Sequence, residues 1–242
     1  MMRALVVGGS PDRSSTELLK KVAGSCGYIV AVDGGIDALR EAGVVPHLFC
    51  GDADSSSPAM RAAIRSQVSV PLASSTRSAR CKRSVELESE LAGMEIELYD
   101  VHKDATDLDL ALKAILSRLG PVDIVCMNLS GGRPDHYLAA LGRLCAWRGR
   151  VKMVEDGFVG TILHAGEEWD VGSYQGGTFS FIPLSTDCVV SESAMRWELD
   201  HASVPLLSDL GISNELDYPH GVFTCHSGTV GAWVIGDGAC IS

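Results

Sequence analysis

The sequence predicts an α/β N-terminal domain with a mostly parallel sheet, followed by an all-β sandwich. Up to about residue 150, apolar runs without polar alternation are separated by segments of helical periodicity. Such runs suit strands buried on both faces, and intervening helices suit parallel crossovers. Beyond that point, short strand-like segments punctuated by glycine follow one another without a convincing helix. We therefore place an α/β domain at residues 1–149 and a β-sandwich domain at residues 150–242.

The elements of the first half alternate in type along the chain. Strands are predicted in the runs ALVVGG, YIVAVDGG, HLFCGDAD, IELYDV and VDIVCMNLSGG, which are rich in Val, Ile and Leu. Helices are predicted in STELLKKVAGSC, IDALREAG, TDLDLALKAILSRLG and YLAALGRLCAWRG. In the third of these, Thr106 precedes the apolar series and is a natural N-cap. This alternation is typical of a parallel sheet with crossover helices.

The second half reads as a series of strands. The segments RVKMVE, FVGTILH, GTFSFIPL, CVVSES, GVFTCHS and TVGAWVIG are short and rich in β-branched and aromatic residues. Glycines separate several of them, as expected for turns between antiparallel strands. This rhythm favours a sandwich or barrel.

Charge limits the classes of partner. The chain has 20 Lys and Arg against 31 Asp and Glu, so its formal net charge is −11. A field of this sign repels a nucleic-acid backbone, so we expect no nucleic-acid partner. It also repels a phosphorylated small substrate unless a metal cation or a local basic pocket reverses the sign at the site. Phosphate chemistry here therefore needs a cation.

The cysteines and the apolar segments indicate the compartment. The eight cysteines include no CxxC pair, and several lie within apolar runs, so we interpret them as small buried hydrophobes. The apolar stretch near the N-terminus is too short for a signal peptide, and no segment approaches a membrane-spanning length. We expect a cytoplasmic protein without a membrane partner.

Acidic residues follow the predicted strands at the point where each strand ends. Any one of them is explained by turn or helix-cap chemistry, which is common for Asp beside Gly or Ser. Capping does not explain why they gather at one edge, where the carboxyl ends of parallel strands open and ligands bind. These acids are Asp33, Asp52, Asp54, Asp107 and Asp135.

Asp52 and Asp54 suggest a metal ion. If the strand continues through them, their side chains point to the same face. Two carboxylates so close repel each other unless a cation or several donors lie between them. Mg²⁺ prefers a few oxygen ligands together with water and substrate phosphates, whereas no twelve-residue EF-hand loop for calcium occurs. A magnesium–nucleotide complex is the expected ligand.

Basic residues for phosphate lie at the same predicted edge. Lys103 stands in HKDATD and Arg133 in GGRPDH, and the glycines of VDGG and LSGGR allow close approach of backbone to a ligand. The chain contains no G-x-x-x-x-G-K-[ST] sequence, and no G-x-G-x-x-G follows a strand. A P-loop enzyme is excluded and a dinucleotide-binding protein is disfavoured.

Five motifs in one order resemble those of the thiamine pyrophosphokinase family. They are VDGGIDALREAGVVPHLFCGDADS (32–55), KDATDLDLAL (103–112), SGGRPDHYLAAL (130–141), MRWEL (195–199) and GISNE (211–215). The resemblance implies an N-terminal α/β domain, a C-terminal β-sandwich and a homodimer with active sites between subunits. It also implies a Mg²⁺-dependent transfer of the terminal pyrophosphate of ATP to the hydroxyethyl oxygen of thiamine, leaving AMP.

The resemblance implies a role for each residue of the two substrate sides. The catalytic and metal-holding residues are Asp52, Asp54 and Asp107. The ATP side is lined by Asp33, Lys103, Arg133 and Asp135. The thiamine side is formed by Ser213, Asn214 and Trp197. The segment AMRWEL lacks the glycine associated with this motif, so the thiamine side matches the family pattern less closely.

Several alternatives stay open at this point. Trp197 is equally well a half-buried strand residue, and Ser213–Asn214 is also a turn sequence. Either Asp54 or Asp107 could serve as general base. The acceptor could be another small heterocyclic alcohol, or the chain could be a binding module that senses thiamine or a nucleotide. His136 and His226 receive no role, and the basic, serine-rich stretch 73–84 is expected to be a solvated loop.

Overall fold

The computed structural model describes residues 2–68, 91–100 and 102–236. The chain divides into two compact units, Met1–Ala140 and Leu141–Ser242. The two compact units meet at residue 140. The predicted boundary between an α/β domain and a β-sandwich domain, at residue 149, stays a prediction. The serine-rich stretch 73–84 lies outside the described residues.

The first unit contains a five-stranded parallel sheet. Its strands are Arg3–Val7 (β1), Tyr28–Val32 (β2), Leu48–Gly51 (β3), Glu95–Leu98 (β4) and Asp123–Met127 (β5). They lie in the order β5-β1-β2-β3-β4, and each neighbouring pair is parallel. Leu5, in the inner strand β1, is in register with Ile29 on one side and Val125 on the other. The parallel sheet predicted from the apolar runs is confirmed.

Five helices are described along the chain. They are Thr16–Gly24 (α1), Gly35–Glu41 (α2), Pro58–Val68 (α3), Asp107–Leu119 (α4) and Pro134–Cys145 (α5). Thr106 caps α4 as predicted, since its hydroxyl accepts a hydrogen bond from the Asp109 amide at 3.2 Å.

Helix α3 was not predicted, although the chain carries signals for it. Pro58 stands at its first position, and the Ser57 hydroxyl accepts from the Met60 amide at 3.4 Å. Met60, Ala63 and Ile64 are buried at helical spacing.

The strand order sets where ligands are expected in the first unit. From β1 the chain proceeds outward through β2, β3 and β4, and it then returns to place β5 on the other side of β1. Loops after β1 and β5 therefore leave the sheet beside a topological switch point. The loops after β2 and β3 open on the same carboxyl edge.

The second unit is built from two antiparallel sheets. One has the order β12-β9-β14-β7-β6 and the other the order β11-β10-β13-β8. Their strands are Val151–Glu155 (β6), Phe158–His164 (β7), Glu167–Asp170 (β8), Thr178–Pro183 (β9), Cys188–Ser193 (β10), Leu199–Val204 (β11), Asn214–Glu215 (β12), Val222–Ser227 (β13) and Thr229–Ile235 (β14).

Aromatic side chains from both sheets form the core of the second unit. The Phe223 ring lies 5.2 Å from that of Phe179 and 5.0 Å from that of Phe181, measured between ring centroids. All three side chains are fully buried, so the inner faces of the sheets pack on each other. The predicted sandwich is confirmed. Among the described residues, no helix has the length and apolar character needed to span a bilayer.

Candidate active site

The carboxylate of Asp33 is carried by a strained turn at the end of β2. Its φ is 45°, a left-handed conformation that is uncommon for a residue other than glycine. Its amide donates to the Cys50 carbonyl at 3.0 Å. A Cβ added at Gly51 would lie 3.1 Å from the Asp33 Cα, so glycine is required where β2 and β3 come together. This close approach brings Asp33 beside the loop that follows β3.

The loop after β3 presents Asp52 and Asp54. The buried Asp52 accepts a hydrogen bond at Oδ1 from the Asp54 amide at 3.1 Å, which closes an Asx turn. Ala53 lies between them with φ 62°. The Ala53 carbonyl accepts from the Arg61 Nε of α3 at 2.9 Å, so the helix that sequence reasoning missed supports the acidic loop.

A second support fixes the end of this loop. Asp37 is buried in α2, and its two carboxylate oxygens accept from the Ser57 amide and hydroxyl, both at 2.7 Å. A buried charge held by such bonds is well compensated. Asp37 and Arg61 thus position the acidic loop, although both lie within helices and look like ordinary helix residues in the sequence.

Three carboxylates meet at the carboxyl edge of the sheet. Oxygens of Asp33, Asp52 and Asp54 all lie within 4.8 Å of one another, close enough to hold one cation. The Asp33 Oδ1 atom is buried and has no hydrogen-bond partner. Burial raises the pKa of Asp33, and the negative charges of the neighbouring acids raise it further. This cluster of three acids is called the acid cluster below.

Lys103 joins the acid cluster to Asp107. Its Nζ lies 2.7 Å from the Asp52 Oδ2 and 3.0 Å from the Asp107 Oδ1, and the Lys103 side chain is only 13% exposed. Burial raises the pKa of Asp107 even beside this cation. Burial acts in the same direction on Asp52, but hydrogen bonds from Lys103 and the Asp54 amide outweigh it and lower the Asp52 pKa. Lys103 therefore lies between two carboxylates, of which Asp52 also accepts from the Asp54 amide.

Arg133 and Asp135 lie after β5 and pair with each other. The Arg133 guanidinium donates to both carboxylate oxygens of Asp135, at 3.1 and 2.6 Å. Both side chains are largely exposed, and the guanidinium holds the pKa of Asp135 down to about 2. The structure therefore brings Lys103 together with four of the predicted acids, Asp33, Asp52, Asp54 and Asp107. Arg133 and Asp135 form a separate exposed pair on the same edge.

Sequence reasoning missed a buried asparagine at the switch point. Asn128 follows β5 with φ 54°, and it is fully buried. Its Oδ1 accepts from the Ser14 amide at 2.9 Å, and its carbonyl accepts from the Ser10 amide at 3.1 Å. These hydrogen bonds connect the loop after β1 to the loop after β5, which carries Arg133. An Asn directly after an apolar strand, at a position needing positive φ, was the available signal.

The predicted thiamine-side residues are brought together within the second unit. Trp197 is 56% exposed, and its backbone amide donates to the Asn214 Oδ1 at 3.1 Å. Ser213 has φ 63°, and its amide donates to the Ser180 hydroxyl at 3.0 Å. The Arg196 guanidinium carbon lies 5.2 Å from the centroid of the Trp197 ring system. The exposed ring is therefore held on an ordered backbone.

The chain matches two sequence families in succession. Residues 19–154 match "Thiamin pyrophosphokinase, catalytic domain", and residues 166–230 match "Thiamin pyrophosphokinase, vitamin B1 binding domain". The first match covers more than half of the chain and includes the acid cluster, and the second includes the exposed tryptophan. These matches define a transferase of the kinase type. The chain belongs to the thiamine pyrophosphokinase family.

The chain also resembles individual proteins, one in sequence and two in fold. The chain is 28% identical over 206 residues to the thiamine pyrophosphokinase of Bacillus subtilis (strain 168), covering 82% of this chain and 83% of that protein. The fold resembles the crystal structure of thiamine pyrophosphokinase from Bacillus subtilis, with a TM-score of 0.74 at 22% identity and coverage of 97% and 99%. Thiamin pyrophosphokinase from Candida albicans gives a TM-score of 0.72 at 16% identity, covering 97% and 89%.

Proposed function

We propose that the protein transfers the terminal pyrophosphate of ATP to the hydroxyethyl oxygen of thiamine, giving thiamine diphosphate and AMP. The observation that carries this proposal is the acid cluster with Lys103 beside it, at the carboxyl edge of the sheet in the catalytic-domain match. Transfer of a phosphoryl-type group requires positioning and charge neutralisation more than covalent chemistry. Metal-binding carboxylates and basic side chains are the groups that this chemistry needs.

The donor set of the acid cluster fits Mg²⁺. Asp33, Asp52 and Asp54 offer only oxygen ligands within 4.8 Å of one another, and the buried Asp33 Oδ1 lacks a partner that a cation would supply. These three would hold the ion, and Asp107 stays a predicted ligand beside them. Mg²⁺ held there would neutralise phosphate charge and polarise the bond to the transferred group.

The remaining groups of the first unit act on the substrate directly. Lys103 would neutralise phosphate oxygens near the acid cluster, and Arg133 is exposed and able to bind the polyphosphate chain. Asp54 and Asp107 are the candidates to accept the proton of the thiamine hydroxyl. Burial raises the pKa of Asp107, which makes it a better proton acceptor than an ordinary carboxylate.

Thiamine binding is assigned to the second unit. Trp197 offers an exposed aromatic face to a cationic heterocycle, and Ser213 and Asn214 lie in the adjoining segment. The net charge of −11 favours a cationic acceptor. A cytoplasmic homodimer with active sites between subunits is part of the proposal, because the family resemblance implies the dimer.

The test is an assay of purified protein with ATP, Mg²⁺ and thiamine, in which AMP and ADP are measured separately. We expect AMP release that requires both thiamine and Mg²⁺. Release of ADP would contradict pyrophosphate transfer, and thiamine binding without turnover would identify a sensor instead. AMP release with another heterocyclic alcohol, but not with thiamine, would refute the assigned acceptor.

A further inference from the structure

The loop that carries Trp197 connects two strands of one sheet and is bound to a strand of the other sheet. It runs from β10 to β11, and it presents the Trp197 ring to solvent. Within this loop, the Arg196 amide donates to the Glu215 carbonyl of β12 at 3.0 Å. Strand β12 is itself anchored on the core, because Asn214 is in register with the fully buried Phe179 of β9. The exposed ring therefore lies on a loop that β12 supports.

The Asn214 side chain provides the second connection between β12 and this loop. Its Oδ1 accepts from the Trp197 amide at 3.1 Å and from the Glu215 amide at 2.8 Å. Its Nδ2 donates to the Trp197 carbonyl at 2.6 Å and to the Met195 sulfur at 3.7 Å. A primary amide has two donor and two acceptor positions, and here all four are used within the chain. Because the side chain is also buried, a ligand could bind this amide only by displacing one of these bonds.

Two of these bonds clamp the backbone of Trp197. The Asn214 amide binds the N–H and the C=O of the same residue, as a neighbouring strand would. The network also defines the orientation of the amide. In the flipped orientation Nδ2 would face two N–H donors, and the amide oxygen would face the Trp197 carbonyl oxygen. Asn214 therefore holds the peptide groups that set the direction of the Trp197 ring.

We propose that Asn214 is a positioning residue for thiamine binding, which holds the backbone of Trp197 and thereby orients its exposed ring for the ligand. The inference rests on the proposed function only in naming thiamine as the ligand of Trp197. The clamp itself stands on hydrogen bonds within the second unit. Direct contact of Asn214 with thiamine, which the family resemblance implies, is the alternative that the test must separate from positioning.

The test is a double-mutant cycle on the thiamine KM. Asn214→Leu keeps the branched shape of the side chain and removes its hydrogen-bonding positions. We expect Asn214→Leu to raise the thiamine KM about fivefold, the effect of about one net hydrogen bond. The ATP KM and kcat should stay within about twofold of wild type, because the acid cluster is not altered. In a Trp197→Ala background, Asn214→Leu should have no additional effect on the thiamine KM, because the oriented ring is already absent.

Gln175→Met is the matched control. The Gln175 Nε2 donates to the Asp217 carbonyl at 2.9 Å, so this amide also binds backbone just after β12, but at Asp217 rather than at Trp197. Its loss should leave the thiamine KM within about twofold of wild type. If Asn214→Leu does not fold, Asn214→Asp keeps the side-chain shape, removes the donor to the Trp197 carbonyl and serves in the same cycle.

Hydrogen exchange measures the clamp without any substrate. In protein labelled with ¹⁵N only at its four tryptophans, each backbone amide gives one signal, and the Trp197→Phe variant identifies that of Trp197. The Trp197 amide should exchange at least about tenfold faster in Asn214→Leu than in wild type. The Trp233 amide should exchange at an unchanged rate, because Trp233 lies in β14 between β7 and β9.

Additive effects of Asn214→Leu and Trp197→Ala on the thiamine KM would indicate direct contact with thiamine and would overturn the inference. An unchanged thiamine KM in Asn214→Leu, or unchanged exchange of the Trp197 amide, would overturn it as well. The exchange measurement distinguishes these failures from failure of the proposed function. Faster exchange of the Trp197 amide, in a protein that does not use thiamine, would support the clamp and refute thiamine as its ligand.

Discussion

Replacing Lys103 with methionine tests whether the carboxylates form a cation-dependent site. The Lys103 Nζ lies 2.7 Å from Asp52 and 3.0 Å from Asp107, with little exposure to solvent. Lys103→Met keeps most of the side-chain volume and removes the charge. Without a metal ion, the acid cluster and Asp107 would then repel one another with no compensating cation.

The expected loss of stability follows from these distances. With an effective dielectric constant of about 20, each pair gains about 6 kcal/mol of Coulomb energy before desolvation is subtracted. Breaking a buried ion pair typically costs about 3–5 kcal/mol. Because the Lys103 side chain is 13% exposed, we expect the lower end of this range, about 3 kcal/mol.

The assay is urea unfolding followed by circular dichroism at 222 nm. All four tryptophans lie beyond residue 140, so their fluorescence does not report on the first unit, whereas most of the described helices do. At a Mg²⁺ concentration a hundred times the Kd of Lys103→Met, the ion should stabilise this variant by about 3 kcal/mol. Wild type should gain less stability from the same Mg²⁺ concentration. The ion would replace the missing charge.

Lys113→Met is the matched control. Lys113 also pairs with a buried acid, Asp109 at 2.8 Å, but the Lys113 side chain is 65% exposed. Its loss should cost less than about 1 kcal/mol and should not respond to Mg²⁺. Equal stability of Lys103→Met and wild type without metal would contradict a cation-dependent site. Equal stabilisation of Lys103→Met and Lys113→Met by Mg²⁺ would contradict it as well.

Three further predictions concern single residues of the two units. Asp52→Asn should abolish turnover with an unchanged circular dichroism spectrum, because the acid cluster loses a charge; near-normal activity would contradict its role. Burial raises the pKa of Glu192 from 4.5 to about 7, so its burial cost is absent at low pH and develops as the pH rises between these values. Glu192→Gln should therefore stabilise the second unit by about 3 kcal/mol at pH 8 and by almost nothing at pH 4, measured by tryptophan fluorescence; an equal gain at both pH values would contradict this. Trp197→Ala should raise the thiamine KM about tenfold with an unchanged ATP KM, because only the aromatic contact is lost; a matching change in both constants would oppose that assignment.

Much of the fold could be predicted because its strands are unusually apolar. The runs around Leu5, Val30 and Val125 are buried on both faces, and their composition allows little else. Strands β8 and β11 were missed because their sequences, EEWD and LDHASV, are polar. Both are edge strands of their sheet, and they are defined by hydrogen bonding rather than by apolar burial. The two-residue strand β12 is too short to give a pattern.

The candidate site was predictable in its residues but not in its pairings. The acids at the strand ends, and Lys103 near them, follow from the rule that ligands bind at the carboxyl edge. The placement of Asp33 with Asp52 and Asp54 depends on the close approach at Gly51, which residue spacing does not reveal. Asp107 instead pairs with Lys103, and its role as a metal ligand stays a prediction.

Buried polar groups account for most of what sequence reasoning missed. Asp37 and Asn128 look like ordinary surface or turn residues in the sequence, yet each is buried and holds another segment in place. Glu192 is also buried, within β10. Asn214 was predicted to meet thiamine, and its amide bonds are used within the chain to hold Trp197. Direct contact of Asn214 with thiamine stays a prediction.

The central claim is that a pyrophosphate group, not a single phosphate, moves from ATP to thiamine. It is tested most directly with ATP that carries ¹⁸O in the bridge between the α and β phosphates, incubated with the protein, Mg²⁺ and thiamine. Attack at the β phosphorus breaks its bond to that oxygen, so ¹⁸O should appear in AMP and not in thiamine diphosphate. Formation of ADP and thiamine monophosphate, or retention of the label in the thiamine product, would contradict it.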